Sequence, residues 1–360
     1  MSSPQGAPEQ NGNHWRQTED FAIIDLFAGS GAFTLGLRQA GISGPALLVD
    51  RAPDCVETCR VNLSDVEVVE DDVAEFDWTG LSARVVVGGP PCQGFSSLGL
   101  RDVDDPRNRL FRALLRCVEH VEPEVVVVEN VAGFLKSVQG DSLLDRLVYL
   151  GYSVRAEVVD CVSYGVPQTR RRALVVATPN GSPVLWPAAK YGKNGLPVRT
   201  VADAFAMLPR TPDGRNWHRA WNVSPAYEER IRSIPPGGSR VDLPADLVLD
   251  CWQKASGHSD VMGRLRWTSP ANTLRTEFFR PEKGRFLHPT EDRPITIREG
   301  ARIQGFPDSF CFPEAMQSYP VARQIGNAIP PPLAKAIGTA IGRNAAVQPA
   351  THSASVREAV

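Results

Sequence analysis

No run of apolar residues in this chain is long enough to cross a bilayer, and residues 1–20 hold no apolar stretch that could direct secretion. The seven cysteines (Cys55, Cys59, Cys92, Cys117, Cys161, Cys251 and Cys311) are odd in number, scattered and never spaced CxxC. That spacing excludes a disulfide framework and gives no zinc site, so a reducing cytoplasm is the expected setting and no metal is expected. The dinucleotide fingerprint GxGxxG is missing too, because after Gly29 and Gly31 the next glycine is Gly36, which disfavours a nicotinamide cofactor. Basic residues are scarce in the first part of the chain. Residues 1–160 carry 13 Lys and Arg against 25 Asp and Glu, whereas residues 161–345 carry 25 against 15. A formal net charge of −2 therefore conceals an acidic half and a basic half, and a basic half is the kind of surface a polyanion touches.

With 360 residues, 42% of them hydrophobic, the chain can bury a sizeable core and has room for two domains. Residues 1–20 and 346–360 are small, polar and aperiodic and read as tails. Between residues 21 and 179, short aliphatic runs alternate with helical patterns, the signature of βαβ units. The clearest strands are Ala22–Phe27, Ala46–Asp50, Arg84–Gly89, Glu124–Asn130 and Arg172–Thr178. Continuous apolar character places them between two helix layers, as parallel strands usually are. The expected fold is α/β, with a doubly wound, mostly parallel sheet. From residue 180 to about 320 the texture changes to Gly, Pro, Arg and Trp, with five of the seven tryptophans. This stretch reads as a smaller, β-rich module with the tryptophans as its core, and residues 321–345 as a segment returning to the first domain.

Two stretches carry the chemistry. DLFAGSGAF (Asp25–Phe33) runs from a strand through a glycine-bearing turn into a helix, where backbone amides can meet a ligand, and Asp50 ends the next strand, suited to ribose hydroxyls. Asp72 supplies a second acid over the same edge, fitting an exocyclic amine. GGPPCQGFSSLG (Gly88–Gly99) puts Cys92 where the carboxyl end of a strand opens into a loop, the place open α/β sheets keep their ligands. A thiol there needs activation before it can act as a nucleophile.

Together with ENV (Glu129–Val131), QTRRR (Gln168–Arg172), REGARIQGFPDSF (Arg298–Phe310) and QIGNAIP (Gln324–Pro330), these motifs resemble, in order, those of the C5-cytosine-specific DNA methyltransferases. The resemblance implies a methyl transfer from S-adenosylmethionine to carbon 5 of a cytosine swung out of duplex DNA. It implies Cys92 as the nucleophile on carbon 6, Glu129 on ring nitrogen 3 and the amino group, Arg172 on the base oxygen, and Arg170 in support. It points to Phe27, Gly29, Ser30, Gly31, Asp50, Arg51, Asp72, Val73, Pro91, Leu110, Asn327 and Ala328 for the cofactor. Ser96, Ser97 and Arg101 would lie near the DNA, with Arg240, Arg264, Arg266 and Arg275 of the basic module. Three residues depart from the family pattern: Ala32 replaces a second consecutive glycine, and Asp50 and Arg51 replace a glutamate and an apolar or aromatic residue. The expected enzyme is a monomer serving restriction-modification or phage defence. The same motifs also fit a transfer-RNA cytosine methyltransferase or an inactive DNA-binding homologue.

Overall fold

A computed structural model describes residues 19–91, 109–253 and 259–345. Cys92, Ser96, Ser97 and Arg101 lie outside the described residues. The valine and isoleucine runs pair into one seven-stranded sheet of order β3-β2-β1-β4-β5-β8-β6. Its members are β1 (Glu19–Leu26), β2 (Ala46–Asp50), β3 (Glu67–Glu70), β4 (Leu81–Gly88), β5 (Val125–Val131), β6 (Tyr152–Asp160) and β8 (Arg171–Pro179). From β3 to β5 every pairing is parallel. Strand β8 is antiparallel to both of its neighbours, so the stretch Ala173–Thr178 is fully buried without being parallel. Residues Val125–Val128 and Leu174–Ala177 lie between cores on either face, and burial on both faces, not strand direction, is what the apolar run records. Strand β6 is not apparent from a continuous apolar run, because as an edge strand it alternates buried and exposed positions.

Helices α1 (Ala32–Gln39), α2 (Pro53–Asn62), α3 (Arg109–Val121) and α4 (Val138–Tyr149) connect the strands. Proline at the first position of α2 and the Ser137 hydroxyl accepting from Gly140 N at the start of α4 fix where those helices begin. The second part holds the short helices α5 (Val201–Phe205), α6 (Pro225–Ser233) and α7 (Asp250–Gln253), followed by α8 (Ile297–Gln304), α9 (Ser318–Asn327) and α10 (Pro331–Ala345). Buried Leu333, Ala334, Ile337 and Ile341 of α10 share a core with Phe33 and Leu37 of α1.

The expected strand content of the small module is not what the structure has. Among the described residues, its regular strand is β9 (Ala271–Asn272), which pairs with β7 (Gln168–Thr169) from the first part. Arginine side chains take over the role of strand partners: Arg264 donates to the carbonyls of Ile231, Ile234, His288 and Glu291. Buried carbonyls must be satisfied, and here a guanidinium with five donors does it. The tryptophans also settle elsewhere than expected. Trp217 is buried in the main core with Trp186 and Trp267 packed against it, while Trp252 alone joins the separate cluster of Ile231, Ile234, Leu243, Met262 and Leu287. Trp221 is exposed.

Candidate active site

The carboxyl ends of β1, β2, β4 and β5 open on one cavity of about 650 Å³. None of the described candidate site residues lines the larger cavity of about 840 Å³ beside Tyr164, Trp186 and Lys335. From β1 and its turn come Phe27, Gly29 and Ser30; from β2 come Asp50 and Arg51; and Asp72 and Val73 follow β3. Pro91, Leu110, Asn327 and Ala328 complete the predicted set on this wall. Gly31 lies behind it. With φ at +73° and Leu63 Cδ1 only 2.7 Å from where a Cβ would sit, this position admits glycine alone.

Asp50 is already engaged. Its Oδ2 accepts from Gly29 N at 2.8 Å and its Oδ1 from Ala52 N at 2.9 Å, so the short carboxylate braces the turn. Each oxygen keeps a further acceptor site for a hydroxyl, and burial raises its pKa despite those amides. Asp72 Oδ1 likewise accepts from Ala74 N at 2.9 Å. Arg51 is exposed at the rim, where its guanidinium can cover a planar ring.

The other end of the same cavity is ionic. Glu129 and Arg172 sit on β5 and β8, whose register pairs Val131 with Arg172 and Glu129 with Leu174. Residues two apart share a face of a sheet, so the two side chains meet as diagonal neighbours. Arg172 Nε lies 2.8 Å from Glu129 Oε1. Burial raises the Glu129 pKa and outweighs the opposing Arg172 and Arg170 charges. Such a carboxyl can donate or share a proton above the usual carboxylate range.

Arg170 also lines this cavity. It is 1% exposed, and Nη2 donates to Gly326 O at 2.9 Å and to Ala328 O at 3.3 Å, the carbonyls on either side of Asn327. Burial lowers its pKa to about 10, which leaves it charged at neutral pH. Gln168 Nε2 donates to Gln304 Oε1 at 2.8 Å, and Gln304 Nε2 donates to Ala328 O. These side chains hold the returning segment against the cavity.

The basic-module arginines divide. Arg264, expected on the DNA, is 3% exposed and spends its donors on four carbonyls and Asp292, so it has none left for a phosphate or a base. Arg266 and Arg275 are exposed, and Arg275 lies 3.6 Å from Asp260. Arg240 lies over the Trp252 ring, 5.9 Å from its centroid.

Sequence reasoning missed four cavity residues. Asp25 accepts from Thr34 N at 3.2 Å and Thr34 Oγ1 at 2.7 Å, and burial raises its pKa to about 7. Its signal was in the first motif, at the end of the first strand. Arg323 pairs with Asp54 at 2.7 Å, Gln324 Nε2 donates to Asp54 O at 3.1 Å, and Tyr319 stands one turn before Arg323. Arg323 carries no sequence signal, because its partner Asp54 lies 269 positions away.

A buried orphan tests whether S-adenosylmethionine fits. Ser30 Oγ lines the cavity, is buried and has no hydrogen-bond partner among the described residues, a costly state that a polar ligand would relieve. Four aspartates, Asp25, Asp50, Asp71 and Asp72, line the same wall and suit a cofactor with a sulfonium and an ammonium group. The residues present fit the group.

A family model described as C-5 cytosine-specific DNA methylase matches residues 21–343. The chain is 33% identical over 341 residues to the Type II methylase M.HgiDII of Herpetosiphon aurantiacus, covering 89% of this chain and 95% of that one. It is 32% identical to the Type II methyltransferase M1.HphI of Haemophilus parahaemolyticus, over 88% and 86% of the two chains. Its fold is similar to a prophage-encoded chain from E. coli (TM-score 0.69, 24% identity, 90% and 99% covered). It is also similar to the S. pombe Dnmt2 methyltransferase (TM-score 0.66, 18% identity, 89% and 97% covered). The chain belongs to the C-5 cytosine-specific DNA methylase family. Its reaction transfers a methyl group from S-adenosylmethionine to carbon 5 of cytosine in DNA.

Proposed function

We propose that this enzyme modifies one short duplex sequence, takes the target cytosine out of the helix, and works through a covalent adduct with Cys92. The observation that carries this reading is the Glu129–Arg172 pair standing in the same cavity as the acidic cofactor wall, so that a base and a methyl donor meet there. When bound, S-adenosylmethionine supplies an electrophilic methyl group. The Cys92 thiolate adds to carbon 6 and pushes electrons to carbon 5, which takes the methyl. Glu129, whose pKa is raised by burial, hydrogen-bonds ring nitrogen 3 and offsets the charge that develops there. Arg172 steadies the base oxygen while keeping Glu129 aligned. Loss of the carbon 5 proton then expels the thiolate and restores the ring.

Arg170 acts through the backbone around Asn327 rather than on the base. Arg266 and Arg275, together with Ser96, Ser97 and Arg101, are proposed on the DNA side. The enzyme acts as a monomer, since one site and one reading module suffice for an asymmetric reaction. Similarity to Type II methylases supports a place beside a restriction or defence nuclease. Among the described residues no helix is long and apolar enough to cross a membrane.

Base-resolution methylation sequencing of unmethylated DNA treated with wild type or Cys92→Ala tests the reading. Methylated cytosine at one short motif with wild type alone is expected. Methylation of transfer RNA instead, or equal activity of the variant, overturns it.

A further inference from the structure

Three arginines of the small module differ in what their donors do. Arg264 is buried and fully used within the fold, as described above. Arg285 Nη1 donates to the carbonyls of Gly237, Gly238 and Arg264 at 2.8, 2.7 and 3.1 Å. Arg266 is exposed, and among the described residues its guanidinium makes one hydrogen bond, a long contact to Gly237 O at 3.4 Å. Its guanidinium lies on the backbone of Gly237, where φ is +72° and a Cβ would overlap the guanidinium itself. Glycine at 237 thus makes a shelf, Arg285 holds the shelf in place, and Arg266 rests on it with its outer donors unspent.

A cavity of about 270 Å³ opens beside this shelf, with Arg266, Ser269 and Asn272 on its walls. Asn272 lies on β9 and pairs in register with Thr169 on β7. Thr273 Oγ1 donates to Thr169 O at 2.7 Å and Thr169 Oγ1 to Ala271 O at 3.1 Å, so the joint is fastened on both sides. Two residues of chain, turned where Arg170 N donates to Gln168 O at 2.9 Å, separate Thr169 from Arg172, a span of at most roughly 10 Å. That is about three base-pair steps of 3.4 Å.

We propose that Arg266, with Asn272 beside it, forms the pocket that reads a guanine in the base pairs flanking the target cytosine. The proposal rests on the DNA-methylating reading above. A guanidinium presents two parallel donors that match guanine O6 and N7 in the major groove, and resting on a glycine shelf limits the freedom lost on contact. The short β7–β9 pairing carries this pocket on the same backbone as Arg170 and Arg172, so the recognised base and the flipped base keep a fixed spacing. Arg275 does not compete for the role, because it is turned toward Asp260 and Lys283 O.

The test is methylation of a duplex library with randomised bases around one cytosine, read at base resolution. Wild type, Arg266→Ala, Arg266→Lys and Asn272→Ala are compared, with S-adenosylmethionine binding and thermal unfolding measured on each. Wild type is expected to require a guanine within about three positions of the target. Arg266→Ala should relax that one position by roughly 10- to 100-fold, with cofactor binding and unfolding temperature unchanged. Arg266→Lys, which keeps the charge and stem, should fail to restore the preference. A uniform loss at every sequence, with a salt slope smaller by about one, would make Arg266 a phosphate contact and overturn the assignment. An unchanged motif in both Arg266 variants would overturn it as well. Failure of wild type to methylate any DNA would instead sink the functional reading, and the pocket assignment with it.

Discussion

Arg172 on β8 sets its Nε 2.8 Å from Oε1 of Glu129 on β5, across the antiparallel pair at which the parallel part of the sheet ends. The reversal of β8 puts the QTRRR motif at the same sheet edge as ENV. In a parallel pairing, the residues at the start of β8 would lie at the opposite edge, away from the cofactor turn.

Glu129→Gln keeps the shape and removes the acidic proton. A fall in kcat of about 10²- to 10⁴-fold is expected with cofactor affinity retained, measured by tritium transfer and calorimetry. Because burial raises the Glu129 pKa, the wild-type rate should decline as pH rises through that raised value, and the variant should lose this limb of the profile.

Asp25 offers a pH test of stability. Its folded pKa is raised to about 7 from an ordinary 3.8, so between these values the folded state binds a proton that the unfolded chain does not. Stability from this group is therefore full below pH 4 and declines as pH climbs to 7, by on the order of 2–4 kcal/mol. Urea unfolding of wild type and Asp25→Asn at pH 5 and pH 8 checks it: the variant should show a smaller decline.

Removing Arg170 leaves the carbonyl of Gly326 without its side-chain donor and leaves Ala328 O with Gln304 alone, on either side of Asn327. Arg170→Ala should cost about 3 kcal/mol or more of stability. The diagnostic readout is cofactor affinity, which should weaken in Arg170→Lys even under conditions where that variant is folded, since one ammonium cannot reach both carbonyls in the same plane.

Arg264→Met separates a structural arginine from a DNA-contacting one. With five hydrogen-bond partners lost in a buried setting, unfolding temperature should drop by several degrees, about 3 kcal/mol or more in free energy. The salt dependence of DNA binding, measured at a temperature where the variant is folded, should stay at the wild-type slope.

Residue order alone carried the sheet strands and the glycine-bearing turn, because aliphatic runs and glycine turns are local properties that backbone sterics translate directly into strands and loops, while Glu129 and Arg172 were singled out only through the family resemblance. It also carried the family, through six motifs in series. Tertiary structure decided the rest. Whether an arginine meets solvent or a buried carbonyl depends on where distant backbone arrives, and so Arg264 and Arg266, two positions apart in one GRLRW stretch, have opposite surroundings. The same holds for Asp54 and Arg323, for Arg170 and the carbonyls around Asn327, and for the direction of β8. Each is a contact between segments far apart in the chain, and only the folded packing brings its two halves together.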